Sequence, residues 1–114
     1  MVEIGVARKL LEAMRDDLDR SILVLQSEHP RARGGAVEAG DAGANLTEAD
    51  RNEAAVTSAR GQRAEVMSAL ARVEDGSYGK CLDCGQQIPD GRLEARPTTP
   101  RCVACQSKRD RRRR

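Results

Sequence analysis

Apolar residues recur every seven positions at the start of the chain: Ile4, Leu11, Leu18 and Leu25, with Ala7 and Met14 at the offset that completes a heptad seam. Spacing by threes and fours puts these side chains on one stripe of an α-helix. No Gly or Pro interrupts the run after Gly5. The pattern predicts a helix over 4–28, stopped by Pro30, because the residue before a proline is pushed out of the α region. A second stripe, Ala49, Val56, Ala59, Val66, Leu70 and Val73, predicts a helix over 46–74, with Arg63 the one charged residue on its seam. Asn45 with Glu48, or Thr47 with Asp50, forms a candidate N-terminal cap. Asp75-Gly76 closes the helix. Residues 29–45, HPRARGGAVEAGDAGAN, are rich in glycine and form a connector long for a helical hairpin, expected to be mobile.

Two narrow stripes of matched length, each helix about 40 Å long at 1.5 Å per residue, predict an antiparallel two-helix coiled-coil hairpin over residues 1–76. Neither helix offers a second apolar face, which favours an intramolecular pair and a monomer over a dimer or a three-helix bundle. Composition supports a thin body. The chain has one aromatic residue, Tyr78, and much of its apolar content is alanine, which buries little area at about 25 cal/mol per Å². The fold class is therefore mainly α, with a small second module at 77–114 that needs a staple.

The charge is uneven. Residues 101–114 carry seven Lys or Arg and one Asp, a tail of +6, whereas the first hundred residues sum to −4. A globally basic nucleic-acid binder is excluded by that balance. The start of the chain lacks the uncharged core of a signal peptide and no window approaches a membrane span. A cytoplasmic location is expected, where thiols stay reduced.

All four cysteines lie in CLDCGQQIPDGRLEARPTTPRCVAC, as two Cys-x-x-Cys pairs separated by 17 residues. A thioredoxin-like site would use one pair within alternating strands and helices, and that pattern is absent. Structural disulfides are disfavoured by the compartment. The spacing fits a four-cysteine zinc-ribbon-like module, with Cys81, Cys84, Cys102 and Cys105 as ligands to one Zn²⁺ and an iron centre as the chemical runner-up. Four protein ligands leave no open coordination position, so the metal is structural. No nucleophile–base constellation is visible, and an enzyme is not expected. Ile88, Pro89 and Gly91 suggest turns between the knuckles. Residues 103–114 read as a short helix running into the basic tail, Tyr78 as a packing residue and His29 as a solvated loop residue.

A helical hairpin followed by "GSYGKCLDCG" and "GRLEARPTTPRCVAC", Ser77 to Cys105, resembles the DksA/TraR family of bacterial transcription factors. The resemblance implies a regulator of transcription initiation. Such a regulator binds RNA polymerase, enters its secondary channel and brings the coiled-coil tip near the catalytic centre, often together with guanosine tetraphosphate. The family's D-x-x-D-x-A tip is best matched by "TEADRN". Thr47, Ala49, Asp50 and Asn52 are then the partner-binding tip, with Thr47 in place of the first Asp and Asn52 in place of the Ala. A longer register would place Glu38, Asp41 and Gly43 there instead. Thr47 and Asp50 also fit a plain helix start. Arg96 matches a basic position associated with polymerase or nucleotide contact.

Two other classes compete. The zinc module and Arg111–Arg114 could bind nucleic acid directly through phosphates, without sequence-specific readout, although one tyrosine gives no stacking platform. The thiolates could also make the protein a thiol- or zinc-responsive adaptor.

Overall fold

The structure, a computed structural model, describes residues 2–28 and 42–113. They form four helices: α1 (Ile4–Glu28), α2 (Ala42–Asp75), α3 (Asp90–Ala95) and α4 (Val103–Arg112). Among the described residues the only β-pairing is an isolated antiparallel bridge between Lys80 and Gln87. No helix among them is long and apolar enough to cross a membrane.

The heptad reading places α1 correctly, and α2 begins four residues earlier than its stripe implies. Gly43 is therefore helical, and Asn45 and Thr47 lie inside the helix instead of capping it. The stripe reaches this far only through Ala42, one heptad before Ala49, and the glycines around it hide so small a signal. The rest of the predicted connector, with His29, Pro30, Glu38 and Asp41, lies outside the described residues. At its other end α2 stops as expected. Gly76 takes φ +84°, and the Ser77 amide donates to the Arg72 carbonyl at 3.0 Å, a Schellman closure that glycine permits without strain. The Asp75 carboxylate also accepts from the Ser77 amide at 2.9 Å.

The chain packs as two compact units, Met1–Met14 with Glu65–Arg114, and Arg15–Ala64. In the first, Ala7, Leu11, Val66, Ala69 and Val73 are buried on α1 and α2, together with Tyr78, Cys81, Ile88 and Leu93 of the cysteine module. Arg8 pairs with Glu74 across the two helices at 3.3 Å. In the second, Val56 and Ala59 are the buried apolar residues among those described. There Arg63, the charged residue of the seam, donates to the Asp19 carboxylate on α1. The Asn52 side-chain amide donates to the Leu25 carbonyl at 2.7 Å. That carbonyl is one of the last four of α1, which have no partner within the helix. Both pairings run antiparallel, as the hairpin requires. Outside the seam, however, α1 leaves Val6, Leu10, Leu23 and Val24 exposed, an apolar surface that the heptad count passes over.

Between the knuckles the chain forms α3, where the sequence suggests only turns. A local cue is present all the same: Pro89 and Asp90 precede a Leu-Glu-Ala run, a proline and an acid at a helix start followed by strong helix formers. Leu93 is its buried anchor. The helix expected after the second pair is present as α4, and it runs on through the arginines as far as Arg112.

Candidate metal centre and partner-binding residues

The first knuckle is shaped by backbone hydrogen bonds. The Gly85 amide donates to the Cys81 carbonyl at 3.0 Å, and the Cys81 amide donates to the Gln86 carbonyl at 2.8 Å. Gly85 turns the chain with φ +75°, a conformation costly for any residue with a Cβ. The second knuckle is the start of α4, with the Gln106 amide donating to the Cys102 carbonyl at 2.9 Å. The Leu82 amide donates to the Pro100 carbonyl at 2.9 Å and ties one knuckle to the other. Tyr78 packs beneath them at 4% exposure, its hydroxyl donating to the Pro97 carbonyl at 2.8 Å.

This framework brings all four sulfurs within 4.8 Å of one another. The Cys84 and Cys102 sulfurs are 3.9 Å apart, far beyond a disulfide bond, and all four thiols are free. Sulfurs at the corners of a tetrahedron, each about 2.3 Å from a central zinc, stand roughly 3.8 Å from one another. The arrangement therefore fits one Zn²⁺ held by Cys81, Cys84, Cys102 and Cys105. It leaves no coordination position open, so the ion is structural.

Without the ion the thiols titrate against one another. Cys81 is buried, which pulls its pKa up, but the backbone amides of Cys84, Cys102 and Asp83 overcome this and bring it to about 6. The hydrogen bond with Cys102, then burial, pushes Cys105 up to about 12. Cys84 is also raised, its backbone contact with Gln86 being outweighed by burial and the neighbouring thiols. At pH 7 the metal-free site thus keeps protons on Cys84 and Cys105 that zinc must displace. Zinc uptake is expected to release at least those two protons per ion, and retention to weaken as pH falls and protons compete for the thiolates. Calorimetry in buffers of different ionisation enthalpy would read the proton count, and uptake with no proton release would exclude thiolate ligation.

Around the site lies a set of polar contacts with no sequence signature. Arg72, on α2, is buried and donates to the Thr98 carbonyl at 3.3 Å. Arg92 donates to the Arg101 carbonyl at 3.1 Å. Asp83, in the spacer of the first pair, accepts from Arg101 at 3.1 Å and from Arg109 at 3.1 and 3.4 Å. Hydrogen bonding from Arg109, followed by that from Arg101, holds the Asp83 carboxyl below the usual carboxylate range.

Arg96 lies after α3 and pairs with Glu65 of α2 at 3.2 Å, both side chains exposed. The tip residues divide between two faces of α2. Thr47 and Asp50 are exposed, whereas Ala49 and Asn52 are half-buried and Asn52 is bound to α1.

Comparison with known proteins agrees with this architecture. The family "Prokaryotic dksA/traR C4-type zinc finger" matches residues 76–111. The RNA polymerase-binding transcription factor DksA of Escherichia coli strain K12 is 31% identical over 107 residues, covering 88% of this chain and 66% of that protein. The factor of the same name from Caulobacter vibrioides strain NA1000 is 50% identical over 50 residues, 44% of this chain and 35% of its own length. The structure of transcription factor DksA2 from Pseudomonas aeruginosa superposes with a TM-score of 0.86 at 24% identity, covering 96% of this chain and 84% of that one. That likeness supports the helical hairpin with a cysteine module.

Proposed function

This chain belongs to the DksA/TraR family, and on that premise we propose that it is a non-enzymatic transcription regulator that binds RNA polymerase and modulates initiation. One observation carries the reading. The similarity to the Escherichia coli factor runs over 107 residues, through the helices as well as the cysteine module, so more than a portable zinc finger is shared. In this reading the protein works as a monomer in the cytoplasm, reaching the polymerase through its secondary channel. Zinc holds the module, while the α2 residues next to the connector act on the catalytic neighbourhood. Thr47 and Asp50, exposed on one face of α2, are the pair suited to that contact. Ala49 and Asn52 support them from the inner face. Arg96 is the basic group available to the polymerase or to guanosine tetraphosphate, once released from Glu65.

The deciding experiment is a pull-down against core RNA polymerase and against free promoter DNA at matched salt. Binding to polymerase is expected. Binding to DNA alone would favour the direct nucleic-acid reading through the arginines of α4.

The tip role makes a separate prediction. A carboxylate shielded from bulk water acts more strongly on a metal-bearing centre than one in solvent. Asp50→Asn should therefore leave polymerase affinity intact and remove most of the effect on open-complex lifetime or transcript yield at saturating factor. An undiminished effect at saturation would reduce Asp50 to an ordinary solvent-facing helix residue.

A further inference from the structure

The two cysteine pairs lie on separate stretches of chain. To keep a bound ion, Cys81 and Cys84 must stay opposite Cys102 and Cys105. The Leu82–Pro100 backbone hydrogen bond does part of this. The Asp83 carboxylate adds to it with side-chain contacts from between the first two ligands, reaching both segments that carry the others. Arg101 immediately precedes Cys102, and its Nε lies 3.1 Å from Asp83 Oδ2. Arg109 lies one helical turn beyond Cys105 on α4, with its Nε 3.1 Å from Oδ2 and its Nη2 3.4 Å from Oδ1. This two-point grip fixes the guanidinium plane as well as its distance. The network is partly exposed, the side chains of Arg101, Asp83 and Arg109 being 17%, 31% and 45% exposed, so solvent and salt screen it in part.

We propose that Asp83 is a positioning residue for the metal centre: through Arg101 and Arg109 it clamps the two knuckles together and sets how long zinc is retained.

A rival account has the opposite sign for one residue. Four thiolates around Zn²⁺ leave the site with two net negative charges, and Arg101 and Arg109 could serve simply as counter-charges. Asp83 would then oppose the metal centre, and removing its charge would tighten zinc binding. The clamp predicts the reverse, because without Asp83 neither arginine is anchored.

The two accounts separate in the full-length, zinc-loaded protein by the rate of zinc transfer to an excess of a chromophoric chelator. Wild type is compared with Asp83→Asn, Arg109→Gln and the double variant. Loss of partners that orient metal ligands weakens metal binding by about tenfold to a hundredfold. Each single variant should speed release by about tenfold or more. The double variant should be no faster than the faster single one, since both remove the same contact. High salt should speed release from wild type and leave Asp83→Asn unaffected. Tetrahedral thiolate absorption of the cobalt-substituted proteins checks that each variant still offers four sulfurs. Slower release from Asp83→Asn, release unchanged in both single variants, or additive effects in the double variant would each overturn the clamp.

Discussion

Replacing Cys84 with serine is expected to abolish tight zinc binding and to unfold residues 77–105, while most of the helical signal from α1 and α2 survives. The reasoning is one of magnitudes. The buried apolar side chains of the module, apart from Cys81, are Tyr78, Ile88 and Leu93, each worth about 1.5–3 kcal/mol when buried. A structural Zn²⁺ contributes about 10–16 kcal/mol of apparent folding energy, more than these side chains together. Serine offers no soft thiolate, and three remaining sulfurs would leave a position open to water. Native mass spectrometry with amide exchange over 77–105 measures both consequences. Slow exchange throughout a metal-free module would show that zinc is not its staple.

Leu11→Ala should cost about 2–5 kcal/mol, the range for removing a fully buried leucine without collapse of the site. Leu11 is 0% exposed and is, with Ile88, one of the largest fully buried side chains among the described residues. Its buried apolar companions on the two helices of that unit are Ala7, Val66, Ala69 and Val73, all too small to fill the space. Leu11→Asp should be worse, because it puts an unpaired carboxylate where water cannot reach. Leu23→Ala is the control: Leu23 is 66% exposed, and its change should stay within about 0.5 kcal/mol. Urea unfolding followed by helical circular dichroism would compare them. Equal midpoints for Leu11→Ala and Leu23→Ala would mean that Leu11 is not a core residue.

How far the sequence can be read depends on what kind of interaction shapes each part. Heptad spacing finds α1 to the residue, because seam leucines carry the information. It starts α2 too late, because ahead of Ala49 the seam continues only as Ala42, a small side chain among connector glycines. Four cysteines at ribbon spacing announce the metal site and its ligands, since thiolate coordination constrains the chain locally. The Asp83 network is not legible. It joins residues 18 and 26 positions apart, and an acid in a Cys-x-x-Cys spacer looks like any solvated charge until folding places two arginines on it. Ala69 escapes for a related reason. It is fully buried beside a seam defined by Leu70, and burial of so small a side chain depends on the neighbouring helix. Asn52 stands out only through family resemblance; its hydrogen bond to the Leu25 carbonyl is a packing fact.

Two of the polar contacts between α1 and α2, from Asn52 to the Leu25 carbonyl and from Arg63 to Asp19, also answer a problem of alignment. A seam in which valine and alanine repeat looks nearly the same after sliding one heptad, a shift of about 10 Å at 1.5 Å per residue. Apolar packing alone discriminates poorly between such alternatives. Each slipped pairing would lose the bond from the Asn52 amide to the Leu25 carbonyl and part Arg63 from Asp19, and polar seam residues are known to select one register at some expense of stability. The pair of helices therefore gives up adhesive strength for a fixed alignment, and an all-apolar seam would bind more tightly while losing its single way of fitting together.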